Sequence, residues 1–285
     1  MKFAVGTRAS FRRVLWQEDF DRFARLSGDD NPIHCDPEYA RHTHFGATVS
    51  HGMLLYALIA KALAESLPGP GARQLSQELM FPHPTFAGEE IEVSLEVLSE
   101  LPDGAIKLAT RVSKQDGALS CAEGISLVLP KGAEGSTHPG PLTHTADEGA
   151  AEFYGLTLGQ TASATRCFTP ADLAEYGDLV GDRNPRFRGP QAIVPGPLLA
   201  GLFSDLLGTR LPGRGTGWMK QRLAFLGPAR PGEPLTASVS ITRLRAAKEL
   251  VNLATRITAP AGRVVVEGEA LVLVRNLEAK PRNAS

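Results

Sequence analysis

The sequence predicts an α+β chain in which one unit occurs twice: an apolar helix wrapped by a long-stranded antiparallel sheet. Three observations carry this. The run Ser27-Gly28-Asp29-Asp30-Asn31-Pro32-Ile33-His34 returns in part as Val180-Gly181-Asp182-Arg183-Asn184-Pro185-Arg186-Phe187. Each run is followed by a helix that starts at a glycine and is apolar nearly all round, the pattern of a helix buried on most sides. Each such helix is followed by three or four strand-like stretches parted by turn residues. With 285 residues, 42% hydrophobic and 21% charged, the chain can bury such cores without staples, as one large or two ordinary soluble domains.

In order, a strand is expected over 10–15, then a helix over 17–26 with Phe20, Phe23, Ala24 and Leu26 near one face and Gly28 as its stop. The Asp-x-Asn-Pro turn follows. The first apolar helix runs from about Gly52 to Leu67, and strands are expected over 75–82, 90–99, 105–114 and 118–129. In the second half a strand over 162–168 leads to Thr169 as N-cap and Pro170 as first helical residue of a helix through Val180. Its apolar helix spans about 197–207, and its strands 219–226, 234–244, 249–258 and 263–274. Gly52 and Gly196 lie 144 positions apart, whereas Asp29 and Asp182 lie 153 apart, so the second copy lacks nine residues between motif and helix. The predicted organisation is therefore residues 1–130, a Gly/Pro/Ser/Thr-rich crossover linker over 131–160, and residues 161–285, with a frayed tail over 276–285. The two sheets can join edge to edge and hide an edge strand.

Composition excludes several classes. The net charge is −1 and no Lys/Arg run stands out, so nucleic acid is not expected as a partner. The apolar run 53–60 is too short to span a bilayer, and residues 1–6 carry no apolar signal core, so no membrane partner is expected. Cys35, Cys121 and Cys167 are odd in number and widely spaced, which argues against a disulfide framework and for a reducing, cytoplasmic setting.

The motif brings a carboxylate, Asp29, and an imidazole, His34, to either side of a turn stiffened by Pro32. Proline biases Asn31 away from helical backbone, which puts both groups on a short ordered loop. Asn31 can stiffen that loop by hydrogen-bonding nearby backbone. A carboxylate beside an imidazole is an acid/base pair that can hold a water. The second element is Val49-Ser50-His51-Gly52-Met53, where a helix start offers free N–H groups and its positive dipole end to a developing oxyanion. Together they suit addition of water across a double bond conjugated to a carbonyl, or its reversal. His34, His42, His44 and His51 with Asp36 match no compact metal spacing, so no metal is expected. Cys35 reads as a small apolar filler, and Asp182 and Asn184 as residues that hold a turn.

These blocks resemble the MaoC-like (R)-specific enoyl-CoA hydratase (hydratase 2) family, whose fold is the hot-dog. The match covers most of residues 10–130, with a degenerate second copy over about 162–275. The resemblance implies a double hot-dog in which Asp29 and His34 hold water for syn addition to a trans-2-enoyl-CoA, giving an (R)-3-hydroxyacyl-CoA. Gly52 would supply an oxyanion-hole N–H, with Asn31, Ser50 and His51 supporting. The implied substrate is an acyl-CoA thioester, with no cofactor beyond the CoA it carries. Phe187 in place of histidine implies that Asp182 alone does not hydrate. Eukaryotic double-hot-dog relatives keep the working motif in the second half, so the arrangement here is reversed. A hot-dog acyl-CoA thioesterase and a non-catalytic acyl-CoA-binding partner subunit are the alternative readings. One duplicated chain already supplies two hot-dog units, so monomer and homodimer are both compatible with it.

Overall fold

A computed structural model describes residues 3–133 and 152–278. The first half contains strand β1 (Arg8–Val14), helices α1 (Gln17–Ser27), α2 (Pro32–Cys35), α3 (Pro37–Arg41) and α4 (Gly52–Glu65), and strands β2 (Arg73–Met80), β3 (Glu90–Glu100), β4 (Ile106–Lys114) and β5 (Leu119–Leu129). A short hairpin, β6 (Glu152–Phe153) and β7 (Leu156–Thr157), closes the stretch read as a linker, whose residues 134–151 lie outside the described residues. The second half contains β8 (Thr161–Cys167), α5 (Pro170–Val180), a 3₁₀ turn (Pro185–Phe187), α6 (Gly196–Asp205), a π-helical turn (Leu206–Arg210), and strands β9 (Gly217–Phe225), β10 (Pro234–Arg245), β11 (Leu250–Ala259) and β12 (Arg263–Leu273). Of the tail, residues 279–285 lie outside the described residues; Asn276 and Glu278 reach back to His44 and Tyr39.

All main strands form one ten-stranded sheet in the order β1-β3-β4-β5-β2-β9-β12-β11-β10-β8. Each half contributes five antiparallel strands in the same internal order, and the halves join through β2 and β9. At the join Glu78 pairs with Arg222, its own counterpart at the 144-residue offset, so a pseudo-twofold axis passes through this pair. The join satisfies two edges that separate units would leave open. Along β3, Ile91, Val93, Leu95 and Val97 alternate inward; along β10, Leu235, Ala237, Val239 and Ile241 do the same.

The inner face wraps two helices. Residues 53–59 of α4 and 197–203 of α6 are almost wholly buried, which the all-round apolar sequence demands. Helices α1 and α5 meet near the same axis: the Arg22 guanidinium donates to the Glu175 carboxylate at 2.7 Å, and these residues are again counterparts. Arg13 caps Leu179 O from one side and Arg166 caps Arg25 O from the other. A buried glutamine recurs too. Gln77 donates to Thr110 Oγ1, as Gln221 does to Thr255 Oγ1, both at 3.1 Å.

Two expectations need correction. His34 lies within the one-turn helix α2, not on a loop. Pro32 occupies its first position, where the missing N–H is one of the unpaired donors anyway, and Asn31 is the non-helical N-cap just before it, with φ −52° and ψ 123°. The second apolar helix does not continue regularly past Asp205 but widens into the π turn, which swings the Gly208 carbonyl towards the first half's motif. The nine residues missing from the second copy correspond to the region of α3 and the loop after it.

Candidate active site

Asp29 is held by the way α1 ends. Gly28 adopts φ 85°, a left-handed conformation that suits glycine, and its N–H donates to Ala24 O. Ser27 Oγ donates to Phe23 O at 2.7 Å and accepts from the Asp29 N–H at 3.2 Å. The Asp29 side chain is only 1% exposed, and its Oδ1 accepts from the Asn31 N–H at 3.3 Å. Asn31 then works in two directions: Oδ1 accepts from the Ile33 N–H to cap α2, and Nδ2 donates to Gly208 O at 3.2 Å. The motif is thereby tied to the other half of the chain.

His34 lies with its Nδ1 2.7 Å from Val49 O. A carbonyl only accepts, so Nδ1 carries the proton, and in the neutral ring Nε2 presents a lone pair. That Nε2 lies 3.8 Å from Asp29 Oδ2. This is too long for a direct hydrogen bond and fits an oxygen about 2.8 Å from each, at an angle of about 85°. The pair is thus spaced to share one water. Gln17 Nε2 donates to His34 O at 2.8 Å, and the Thr48 hydroxyl donates to Gln17 Oε1, fixing the backbone behind the ring.

His51 stacks on His34 with centroids 3.7 Å apart. Its Nε2 donates to Asp29 O at 3.0 Å, leaving Nδ1 as an unpartnered buried acceptor. Complete burial, and secondarily His34, push the His51 pKa well below the ordinary histidine range, so the ring stays neutral. His51 is also the N-cap residue of α4. The next residue, Gly52, opens that helix with an N–H that has no partner among the described residues. A Cβ on Gly52 would come 2.8 Å from the Phe81 ring, so only glycine fits beneath that aromatic. Ser50 makes the approach: its N–H donates to Thr85 O, and its hydroxyl turns to His51 O rather than to the pair.

Ligand atoms of Asp29, His34 and His51 lie within 4.8 Å of one another. The two rings are stacked, so their lone pairs project side by side instead of converging, a poor donor set for a metal. Cys35 is half-buried, and burial lifts its thiol to about 11, which fits a filler and not a nucleophile. His42 pairs with the exposed Glu38, and His44 packs on Phe45. Sequence reasoning missed Val49 O, Gly208 O, Gln17 and Phe81. Only Gln17 and Phe81 carry a side-chain signal, and neither belongs to the motif.

The second half repeats the scaffold without the imidazole. Asp182 Oδ1 accepts from the Asn184 N–H and Asn184 Oδ1 from the Arg186 N–H, so both hold the turn. Phe187 stands in place of His34 and meets Tyr176 edge-on. Gly196 opens α6 beneath Phe225, as Gly52 opens α4 beneath Phe81. Burial raises the Asp182 carboxyl to about 6, and its Oδ2 has no partner. A cavity of about 360 Å³ opens here, and its lining includes neither Asp29 nor His34.

Residues 4–116 match the MaoC-like domain family. The chain is 38% identical to an (R)-specific enoyl-CoA hydratase of Aeromonas caviae over 127 residues, 44% of this chain and 95% of that protein. It is 37% identical to a 3-hydroxybutyryl-CoA dehydratase of Methylorubrum extorquens over 99 residues, 35% of this chain and 63% of that protein. Solved structures of similar fold include a MaoC-like dehydratase, with TM-score 0.73 and 15% identity, covering 94% of this chain and 98% of that one. A Mycobacterium tuberculosis protein described as a double hotdog fold gives TM-score 0.73 and 14% identity, covering 95% and 96%.

Proposed function

Because this chain belongs to the MaoC-like family of (R)-specific enoyl-CoA hydratases, we propose that it adds water to a trans-2-enoyl-CoA, or removes it from the product, using the Asp29/His34 pair of its first half. The observation that carries this reading is the 3.8 Å gap between Asp29 Oδ2 and His34 Nε2, with the His34 tautomer pinned by Val49 O.

The chemistry follows from those positions. Water sits between the carboxylate and the imidazole. As its oxygen bonds to C3 of the enoyl group, Nε2 takes a proton and the C2=C3 pair moves towards the thioester carbonyl. Charge developing on the thioester oxygen meets the Gly52 N–H and the start of α4. The pair then returns a proton to C2 on the face from which oxygen arrived, so one water supplies both atoms added and the addition is syn. An (R)-3-hydroxyacyl-CoA is the product the family resemblance implies. No metal and no organic cofactor is needed, because the electrophile is activated by the thioester and the helix start. His51 acts through others: it packs against His34 and holds the Asp29 backbone.

No helix among the described residues is long and apolar enough to cross a membrane. All three cysteines are free, which supports a reducing, cytoplasmic setting. The two units of a single chain are already paired through β2 and β9, which supports function as a monomer; a homodimer would pair such chains through another face.

The test is turnover on a panel of enoyl-CoAs, read by product mass and configuration. Gain of the mass of one water with (R) configuration supports the proposal. Release of free thiol without hydration would assign thioesterase chemistry instead.

A further inference from the structure

Helix α6 belongs to the half without the imidazole, yet it meets both anchors of Asp29. Ser27, whose Oγ accepts from the Asp29 N–H, packs on Gly201, where a Cβ would come 2.6 Å from Ser27 Cβ. Asn31, whose N–H donates to Asp29 Oδ1, donates from Nδ2 to Gly208 O. A Cβ on Gly208 would come 2.8 Å from that nitrogen. Both approaches need glycine, which weakens a helix relative to alanine. At the 144-residue offset the corresponding residues of α4 are Ala57 and Ala64. The counterpart of Ser27 is Val180, and Asn184 caps its own turn with no partner for Nδ2 among the described residues. The helix glycines thus stand where a central helix meets the motif that carries the imidazole, and alanines stand where it meets the other.

Thr209 delivers the Gly208 carbonyl. Its hydroxyl donates to Asp205 O at 2.7 Å and lies 2.9 Å from Asp205 Oδ1. A hydroxyl bonded to the carbonyl four residues back competes with the backbone and bends a helix. The ladder widens here to a five-residue step, from the Leu211 N–H to Leu206 O at 2.8 Å. The corresponding residues of α4, Lys61 and Glu65, form a side-chain ion pair at 2.8 Å, and that helix stays regular to its end. Burial raises the Asp205 carboxyl, Thr209 counters this, and Asp29 and Asp30 add to it, so this end of α6 lies within electrostatic reach of the motif.

We infer that Gly201, Gly208 and Thr209 are positioning residues for the hydration, through which the half without the imidazole sets the place of Asp29 against His34. The inference rests on the hydratase reading. Thr209 turns the helix, Gly208 brings its carbonyl to Asn31, and Gly201 admits Ser27. These two anchors then hold the carboxylate at its 3.8 Å spacing from His34 Nε2. The three residues act through Asn31 and Ser27, not on the substrate.

Four variants test this. Thr209→Val removes the hydroxyl at nearly constant volume, Thr209→Ser keeps it, and Gly208→Ala and Gly201→Ala close the two approaches. Each is measured for hydration of crotonyl-CoA per folded chain and for the NMR resonances of the Asn31 side-chain amide. In Thr209→Val and in both alanine variants kcat should fall about 10- to 100-fold with KM within about twofold of native, the pattern of a misplaced group. The Asn31 amide resonances should be displaced in Thr209→Val and Gly208→Ala. Thr209→Ser should keep native kcat and native amide resonances. Native kcat per folded chain in Thr209→Val or Gly208→Ala overturns the inference, and so does a loss in Thr209→Ser as large as in Thr209→Val. Thr209→Val decides alone if the alanine variants do not fold. Absence of hydration in the native protein contradicts the hydratase reading instead. The amide resonances then decide the cross-half tie by themselves: displacement in Thr209→Val supports it, and unmoved resonances overturn it.

Discussion

Asp182→Asn is predicted to stabilise the protein, and only above a defined pH. The native carboxyl is raised by burial to about 6, against an ordinary aspartate value of about 3.9. The folded chain therefore holds a proton that the unfolded chain releases. This stability is fully present below about pH 4, falls as pH rises through about 6, and stays lost above. About two units at 1.36 kcal/mol each give a penalty of about 3 kcal/mol at pH 8. Asparagine keeps an oxygen for the Asn184 N–H and never ionises. Urea unfolding of both proteins at pH 4 and pH 8 checks this. The stability difference should be near zero at pH 4 and reach about 2–3 kcal/mol in favour of asparagine at pH 8. A pH-independent difference, or an Asp182→Asn variant less stable than the native protein at pH 8, refutes the reasoning.

Other predictions follow from the first half. Asn31→Ala removes the cap on Ile33 and leaves Gly208 O unpaired, so it should cost about 1–2 kcal/mol in chemical unfolding and lower kcat more than it raises KM. Gly52→Ala puts a Cβ 2.8 Å from the Phe81 ring; kcat for crotonyl-CoA should fall about 10- to 100-fold, and adding Phe81→Ala should recover part of it. His51 is buried neutral, so its folded pKa is depressed: its contribution is present above the unfolded value of about 6.5 and is lost as pH falls below that. His51→Gln should therefore show a flatter loss of stability between pH 7 and 5 in thermal melts.

Much of the fold and of the candidate site was legible in the sequence because the residues concerned lie on short, stereotyped segments. The Gly-Asp-x-Asn-Pro turn, the His34 spacing and the glycine start at Gly52 each carry a local physical reason. The duplication was legible for the same reason: two all-round apolar helices must each be wrapped. Backbone partners were not legible. Val49 O, which fixes the His34 tautomer, can be any residue's carbonyl. Gly208 O comes from 177 positions away and depends on a π turn that no residue type announces. Pro32 was read as excluding helix, whereas at a first helical position it starts one. The cavity beside Asp182 was invisible, because an apolar stretch reads as core whether or not it encloses space.

The central claim is that one pair, in the first half, performs the reaction. Steady-state hydration of crotonyl-CoA, followed as loss of the enoyl absorbance, tests it most directly in Asp29→Asn and His34→Ala, each checked for native circular dichroism. The account predicts that kcat falls at least ~10²-fold, and up to about 10⁴-fold, in both variants. Near-native turnover by either folded variant, on a substrate the native protein accepts, contradicts it.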